Sequence, residues 1–196
     1  MARDVWARRS TFYDFIEGSD VRRGAFKRRL FGRVRGRTLL IAAGTGLDLR
    51  HLPPVPVVAL DISLDMLARA RPRADRAAAQ VQLLAADAQC LPFGAGVFDS
   101  VVTSCTLCSV PDPFLTLCEI RRVLAPAGAL YLFEHVRSRD PVVGLTLDLM
   151  TLWSRRGGTD MNRRTLETVA RAGFQITRVD PVFLDVILAV EARLSS

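Results

Sequence analysis

The sequence predicts an α/β fold: a doubly wound, seven-stranded, mostly parallel sheet with an antiparallel strand at its edge and a helical lid at the N-terminus. Three observations carry that expectation. From Thr38 onward, short apolar runs alternate with helical patterns, which is the signature of a parallel sheet covered by helices on both faces. The runs Leu39-Leu40-Ile41 and Val57-Val58-Ala59-Leu60 are apolar without strict alternation, as strands buried on both faces are. At 196 residues, the chain is long enough to bury about 70% of its unfolded surface.

The elements follow in order. Residues 1–37 read as a basic helical arm, and Val5, Trp6, Phe12, Tyr13, Phe15 and Ile16 give it more apolar bulk than a loose tail carries, so it is expected to cover something. Residues 38–196 read as one domain, with no internal repeat, low-complexity stretch or linker. Strands are expected at Thr38–Ala43, Val55–Leu60, Val81–Ala85, Phe98–Ser104 and Ala129–Glu134. A glycine turn after the first strand should open a short helix near Leu47–Arg50. Ser63 is placed to cap a helix through Arg71, and Asp112 one to Leu124 that Pro126 and Gly128 close off. Further helices are expected at Val142–Trp153 and Thr165–Ala172, the latter ended by Gly173. Strands at Gln175–Val179 and Phe183–Ala192 complete the set. Asp180-Pro181 leaves too little chain between them for a crossover, so they should form a hairpin.

Composition narrows the function classes. Hydrophobic residues make up 49% and charged residues 24%, and no uncharged run of 18 residues is present, so neither a disordered tail nor a membrane bundle is expected. Four cysteines in mostly apolar sequence, with no cleavable leader pattern before them, make a reducing cytoplasm the expected compartment. The net charge of +7 is concentrated: residues 1–37 hold 11 Arg and Lys against 4 Asp and Glu, while the remainder balances. A basic arm on a neutral body suits an anionic partner or is simply a solvated face. Its mix of Arg22, Arg23, Lys27, Arg28 and Arg29 with Trp6, Phe12, Phe15 and Phe26 is the composition of a segment lying on an anionic bilayer, which would make the protein peripheral to a membrane. Nucleic acid is not the expected partner, because no aromatic-interleaved motif or zinc module accompanies the charge.

Three strand tips carry the chemistry. Ile41-Ala42-Ala43-Gly44-Thr45-Gly46 runs a first strand into a turn of small residues, at the place where doubly wound sheets hold nucleotide-like ligands. By itself it is equally a tight turn and nothing more, since Leu49 replaces the third glycine of the dinucleotide fingerprint. Asp61 ends the second strand 17 positions after Gly44, where a carboxylate accepts from both hydroxyls of a ribose. The third strand ends in Ala86-Asp87-Ala88, where a carboxylate can meet the exocyclic amine of adenine. Two acidic tips facing a glycine turn form an adenosine pocket; the competing reading is a pair of solvated loop aspartates.

The blocks Gly44-Thr45-Gly46, Ala59-Leu60-Asp61-Ile62-Ser63, Met66-Leu67, Ala86-Asp87-Ala88, Leu91-Pro92-Phe93, Phe98-Asp99 and Arg122–Gly128 together resemble class I S-adenosylmethionine-dependent methyltransferases, of the type 11 group that includes quinone-biosynthesis and phosphatidylethanolamine N-methyltransferases. Thr106–Asp112 followed by Glu134-His135-Val136 is similar to a membrane-associated branch, some of whose members act on thiols. The resemblance covers roughly residues 38–136 and implies a Rossmann-like sheet with S-adenosylmethionine as cofactor and S-adenosylhomocysteine as product. It further implies Gly44, Thr45 and Gly46 at the glycine turn, with Gly44 and Gly46 against the methionine portion. Asp61 would lie on the ribose, Ile62 and Met66 beside the adenine, Asp87 and Ala88 at the adenine edge, and Thr103 or Ser104 near the transferable methyl. Two departures stand out: family members usually have an acid where this chain has Leu40 and a glycine where it has Ala42.

Methyl transfer from a sulfonium is an in-line displacement that needs alignment and exclusion of water, with a base for an acceptor that must lose a proton. His135, just after the fifth strand, is the expected base, with Tyr13 on the arm and Glu134 as rivals; a structural hydrogen bond is the competing role for His135. His51, beside Pro53-Pro54, is expected at the surface. Cys105-x-x-Cys108 lacks the partners that zinc or a redox helix requires, so no metal is expected, and one of the two thiols is free to line the acceptor pocket. The expected substrate is a lipid-like or small apolar acceptor, a phospholipid amine such as phosphatidylethanolamine foremost, with a quinone precursor or a small thiol as alternatives. Two readings of another class stay open: a dinucleotide-dependent oxidoreductase, and a non-enzymatic membrane or partner-binding module with a decayed cofactor pocket.

Overall fold

The computed structural model describes residues 21–154 and 159–195. Tyr13, and with it residues 1–20 of the lid expected over 1–37, lie outside them. The described part begins with α1 (Val21–Phe31), followed by β1 (Thr38–Ile41), a 3-10 turn at Leu47–His51, β2 (Pro56–Asp61), α2 (Leu64–Ala74), β3 (Gln80–Ala85) and β4 (Phe98–Ser104). Then come α3 (Pro113–Val123), β5 (Leu124–His135), α4 (Pro141–Ser154), α5 (Thr165–Arg171), β6 (Phe174–Phe183) and β7 (Ile187–Leu194).

The seven strands form one sheet in the order β3-β2-β1-β4-β5-β7-β6. β1 to β5 are mutually parallel, and β7 runs antiparallel to both its neighbours. The antiparallel strand of the hairpin is therefore one place in from the edge, with β6 outside it. The hairpin turn also lies later than the sequence suggests. Asp180 and Pro181 are inside β6, opposite Ala189 and Leu188, and the chain reverses only after Phe183. Proline can occupy such a strand because β6 is outermost and has no further neighbour to receive its missing N–H.

Local signals start the helices as expected, but α3 ends at Val123 and β5 begins at once, so Pro126 and Gly128, expected to close the helix, lie inside the strand. The Ser63 hydroxyl accepts from the Met66 N–H, and the Asp112 carboxylate accepts from the Phe114 and Leu115 N–H groups. Side chains alternate across β1, so Leu39 and Ile41 pack with α3 residues Leu117 and Ile120, while Leu40 packs on the other face with Leu30 and Phe31 around α1. Leu40 is only 1% exposed. The position where the resemblance leads one to expect an acid is thus built into the apolar layer under α1.

The basic helix is fastened to the body by specific contacts. Lys27 Nζ donates to both carboxylate oxygens of Asp48 at 2.8 and 3.1 Å and lies 5.0 Å from the centre of the Phe133 ring. Beyond the helix, the Tyr131 hydroxyl donates to the Arg33 carbonyl, and Arg33 pairs with Glu191. His51, expected at the surface, is instead buried beneath this helix region. Burial lowers its pKa to about 4, overcoming the opposing pull of Asp48.

Candidate active site

Strand order reverses between β1 and β4, because β2 and β3 continue to one side and β4 and β5 to the other. Loops leaving the carboxyl ends of adjacent strands diverge at such a point and leave a crevice. Register brings the relevant tips level: Ile41 lies beside both Leu60 and Thr103, and Ser104 beside Phe133. A cleft of about 810 Å³, counting solvent at its mouth, opens there, lined by Gly44, Asp61, Ile62, Met66, Asp87, Ala88 and Ser104 among others.

The glycine turn and Asp61 are built as a unit. Gly44 and Gly46 have φ of 56° and 80°, and a Cβ on Gly46 would meet Leu49 and Ala70 at 3.1 to 3.3 Å. The Asp61 carboxylate accepts from the Gly44 N–H at 2.8 Å through one oxygen and from the Ser63 N–H at 2.9 Å through the other. Each oxygen keeps a further lone pair, so a vicinal diol can still be bound. Burial raises the Asp61 pKa, and the backbone N–H groups oppose that rise by holding the charged form. At the β3 tip, Asp87 is exposed, and its Oδ1 accepts from the Gln89 N–H, an Asx turn that fixes the loop. The Gln89 Oε1 in turn accepts from the Asp112 N–H, tying this wall to the start of α3.

Three of the expected cofactor-binding residues are behind the cleft wall and do not line it. Thr45 is fully buried and its carbonyl accepts from Arg73, and Gly46 serves the turn. Thr103 is also fully buried, its hydroxyl donating to Glu134 at 3.0 Å. Strand alternation explains the last case: Ser104 is turned toward the cleft, so its neighbour Thr103 is not. Residues the sequence reading left without a role complete the lining, chiefly Leu60, Ala86, Gln89, Thr106, Ser109, Val110 and Pro111. For Thr106, Ser109, Val110 and Pro111 the signal was the Thr106–Asp112 block, whose small hydroxyls and apolar residues are too ordinary to be given a task from spacing alone.

Glu134 organises the β4 tip. It is 1% exposed, and its Oε1 accepts from the Thr103 hydroxyl and from the Thr106 and Leu107 N–H groups at 2.9 to 3.2 Å, while its Oε2 is buried and finds no hydrogen-bond partner among the described residues. Burial pushes its pKa up to about 7, with those hydrogen bonds opposing. The Thr106 hydroxyl donates to the Ile41 carbonyl, so β1, β4 and β5 are joined at one point. His135 lies behind this turn and is not part of the lining, its Nδ1 3.5 Å from the Cys105 Sγ. Desolvation first, then Arg23 and Lys27, lower its pKa to about 4. The imidazole is therefore neutral and a weak base at neutral pH, which favours the structural role for His135 over the catalytic one. Cys105 lines the cleft, whereas Cys108 is buried, donates to the Cys105 carbonyl and has its thiol pushed up to about 12.

Ala42 lines the cleft with φ 52°, a left-handed conformation in which a Cβ costs about 1–2 kcal/mol. Ala42→Gly should therefore raise stability by about 0.5–1 kcal/mol after the larger chain entropy of glycine is subtracted. Urea unfolding measures it, and a destabilised variant would show that the methyl is held by packing that outweighs the strain.

Known proteins can now be compared. Residues 39–132 match the family described as a methyltransferase domain. A demethylmenaquinone methyltransferase of Thermus thermophilus is 40% identical over 103 residues, covering 50% of this chain and 46% of the relative. A phosphatidylethanolamine N-methyltransferase of Cereibacter sphaeroides is 32% identical over 114 residues, 56% of each chain, and a human thiol S-methyltransferase is 31% identical over 122 residues, 56% of this chain and 50% of the relative. This chain spans about half the length of these curated relatives. Among solved structures, a chain from the Haloferax volcanii complex of a methyltransferase with its activator Trm112 superposes with a TM-score of 0.78 at 18% identity, covering 100% of this chain and 98% of that one. A DhpI complex with S-adenosylhomocysteine gives 0.74 at 24%, covering 99% and 96%. Those two likenesses show the fold, and over residues 39–132 the sequence is similar to methyltransferase domains.

Proposed function

We propose that the protein transfers a methyl group from S-adenosylmethionine to a lipid-like or small apolar acceptor, a phospholipid amine of the phosphatidylethanolamine kind being the favoured substrate. The observation that carries the methyltransferase reading is the convergence of Gly44, Asp61, Asp87 and Ala88 on one cleft at the switch point. The residues fit the cofactor: small groups at Ala42 and Gly44 admit a close backbone approach, Asp61 retains lone pairs for a ribose, and Ile62 and Met66 offer apolar flanks for an adenine. When bound, the cofactor supplies the sulfonium-activated methyl, and the protein has to align the acceptor and keep water out. Ser104, Cys105, Thr106 and Ser109 line the opposite side with neutral groups, and Val110 and Pro111 make that side apolar. An amine or thiol acceptor has to lose its proton before or during transfer, and the groups on this side offer it hydroxyls and a thiol.

The lipid preference rests on the relative named for phosphatidylethanolamine and on the basic arm. Calorimetry with S-adenosylhomocysteine tests the cofactor reading: micromolar binding is expected, and no heat at millimolar ligand would overturn it. Transfer of labelled methyl to phosphatidylethanolamine, a demethylated quinone or an alkyl thiol then ranks the acceptors, with the phospholipid expected to be methylated fastest.

A further inference from the structure

α4 is inside out. Its buried residues are Gly144, Leu147 and Thr151, and its one charged residue, Asp148, is bonded to Arg137 and Asn162. The outward face carries Val142 at 75% exposure, Leu145 at 59%, Leu149 at 57%, Met150 at 47%, Leu152 at 61% and Trp153 at 77%. Helical geometry gathers all six within an arc of roughly 160°. A second element extends this surface. Phe183 and Leu184, 54% and 63% exposed, sit at the β6–β7 turn, and the neighbouring Asp185 accepts from the Ser138 hydroxyl and the Arg139 N–H just before α4. Beyond α4, the Asp160 N–H donates to the Cys108 carbonyl, so the helix is flanked by the turn that lines the cleft.

An apolar surface of this kind needs an occupant, and the surrounding charges indicate which. The carboxylates at its near end are taken up by the chain: Asp140 accepts from the Val142 and Val143 N–H groups, and Asp185 is bonded as above. Arg139 precedes the helix with an exposed side chain, and the sequence continues past it with Arg155-Arg156. Apolar side chains on one face, a tryptophan near the end and arginines flanking the segment in the sequence are the features of a helix lying in a lipid interface. At 14 residues α4 is about 21 Å long, short of the roughly 30 Å hydrocarbon core, so it can lie along a bilayer and cannot cross it. We propose that α4, with Phe183 and Leu184, is a docking surface for an anionic phospholipid bilayer, on the rim of the sheet where the cleft opens. This goes beyond the acceptor reading and stands independently of it.

The test uses the full chain and vesicles of phosphatidylglycerol and phosphatidylcholine. The chain has two tryptophans, so Trp6→Phe leaves Trp153 as the reporter. Flotation with the vesicles and a blue shift of Trp153 emission are expected. Leu145→Gln, Leu149→Gln and Leu152→Gln combined should reduce vesicle partitioning by about tenfold or more, with S-adenosylhomocysteine binding unchanged. Undiminished flotation of the triple variant would overturn the proposal by placing attachment elsewhere, as would a dimer in light scattering that the variant abolishes. Vesicle binding without cofactor binding would instead overturn the methyltransferase reading and leave this one standing.

Discussion

Asp61→Ala is expected to weaken both the fold and the cofactor site. The carboxylate is 6% exposed and is the acceptor for the Gly44 and Ser63 N–H groups, which alanine leaves buried and unpaired. Hydrogen bonds to a charged acceptor contribute about 1.5–3 kcal/mol each, but burying the charge, as the raised Asp61 pKa records, offsets part of that. A net loss of about 2–4 kcal/mol in urea unfolding is expected, with a 10- to 100-fold rise in the Kd for S-adenosylhomocysteine. Asp61→Asn separates the effects: its oxygen can keep one backbone bond while its amide faces the other donor, so it should fold better than alanine and still bind weakly. Full affinity in either variant would show that the ribose is held elsewhere.

Glu134→Gln should change how stability depends on pH. The folded-state pKa of Glu134 is about 7, above its ordinary 4.5, so between these values the folded protein binds more protons than the unfolded chain. Stability from this group is therefore present at low pH and lost as pH rises from 4.5 through 7. Glutamine keeps the Oε1 acceptor used by Thr103, Thr106 and Leu107 without the charge. The variant should match the wild type near pH 4.5 and be more stable by about 3 kcal/mol above pH 7. His51 and His135 act in the opposite sense, since pKa values lowered from 6.5 to about 4 make stability rise with pH over that interval. They are common to both proteins and cancel in the difference. A flat difference between the two urea series would show that Glu134 is already solvated or paired.

Most of the fold was legible because its signals are local. Apolar runs of strand length, Ser63 and Asp112 as caps, and the glycines after β1 each act within a few residues, and the structure places them as expected. The hairpin turn was misplaced because Asp180-Pro181 is a turn signal in isolation. Only the position of β6 at the sheet edge makes that proline acceptable inside a strand.

The site divides in the same way. Gly44, Asp61 and Asp87 were readable from their places at strand ends, because in a parallel sheet the residue ending each strand is delivered to the same rim; Ala88 came from the resemblance. Thr103 and His135 were taken for cleft residues because they too are near strand ends; the pleat turns one into the interior and the other toward Cys105. The sequence by itself determined which groups reach the carboxyl rim of the sheet. Tertiary structure alone decided the raised pKa of Glu134, the lowered pKa of His135 and the outward turn of the apolar face of α4. Desolvation and exposure are set by everything packed around a group, and the neighbours that set them here come from strands and helices far apart in the chain.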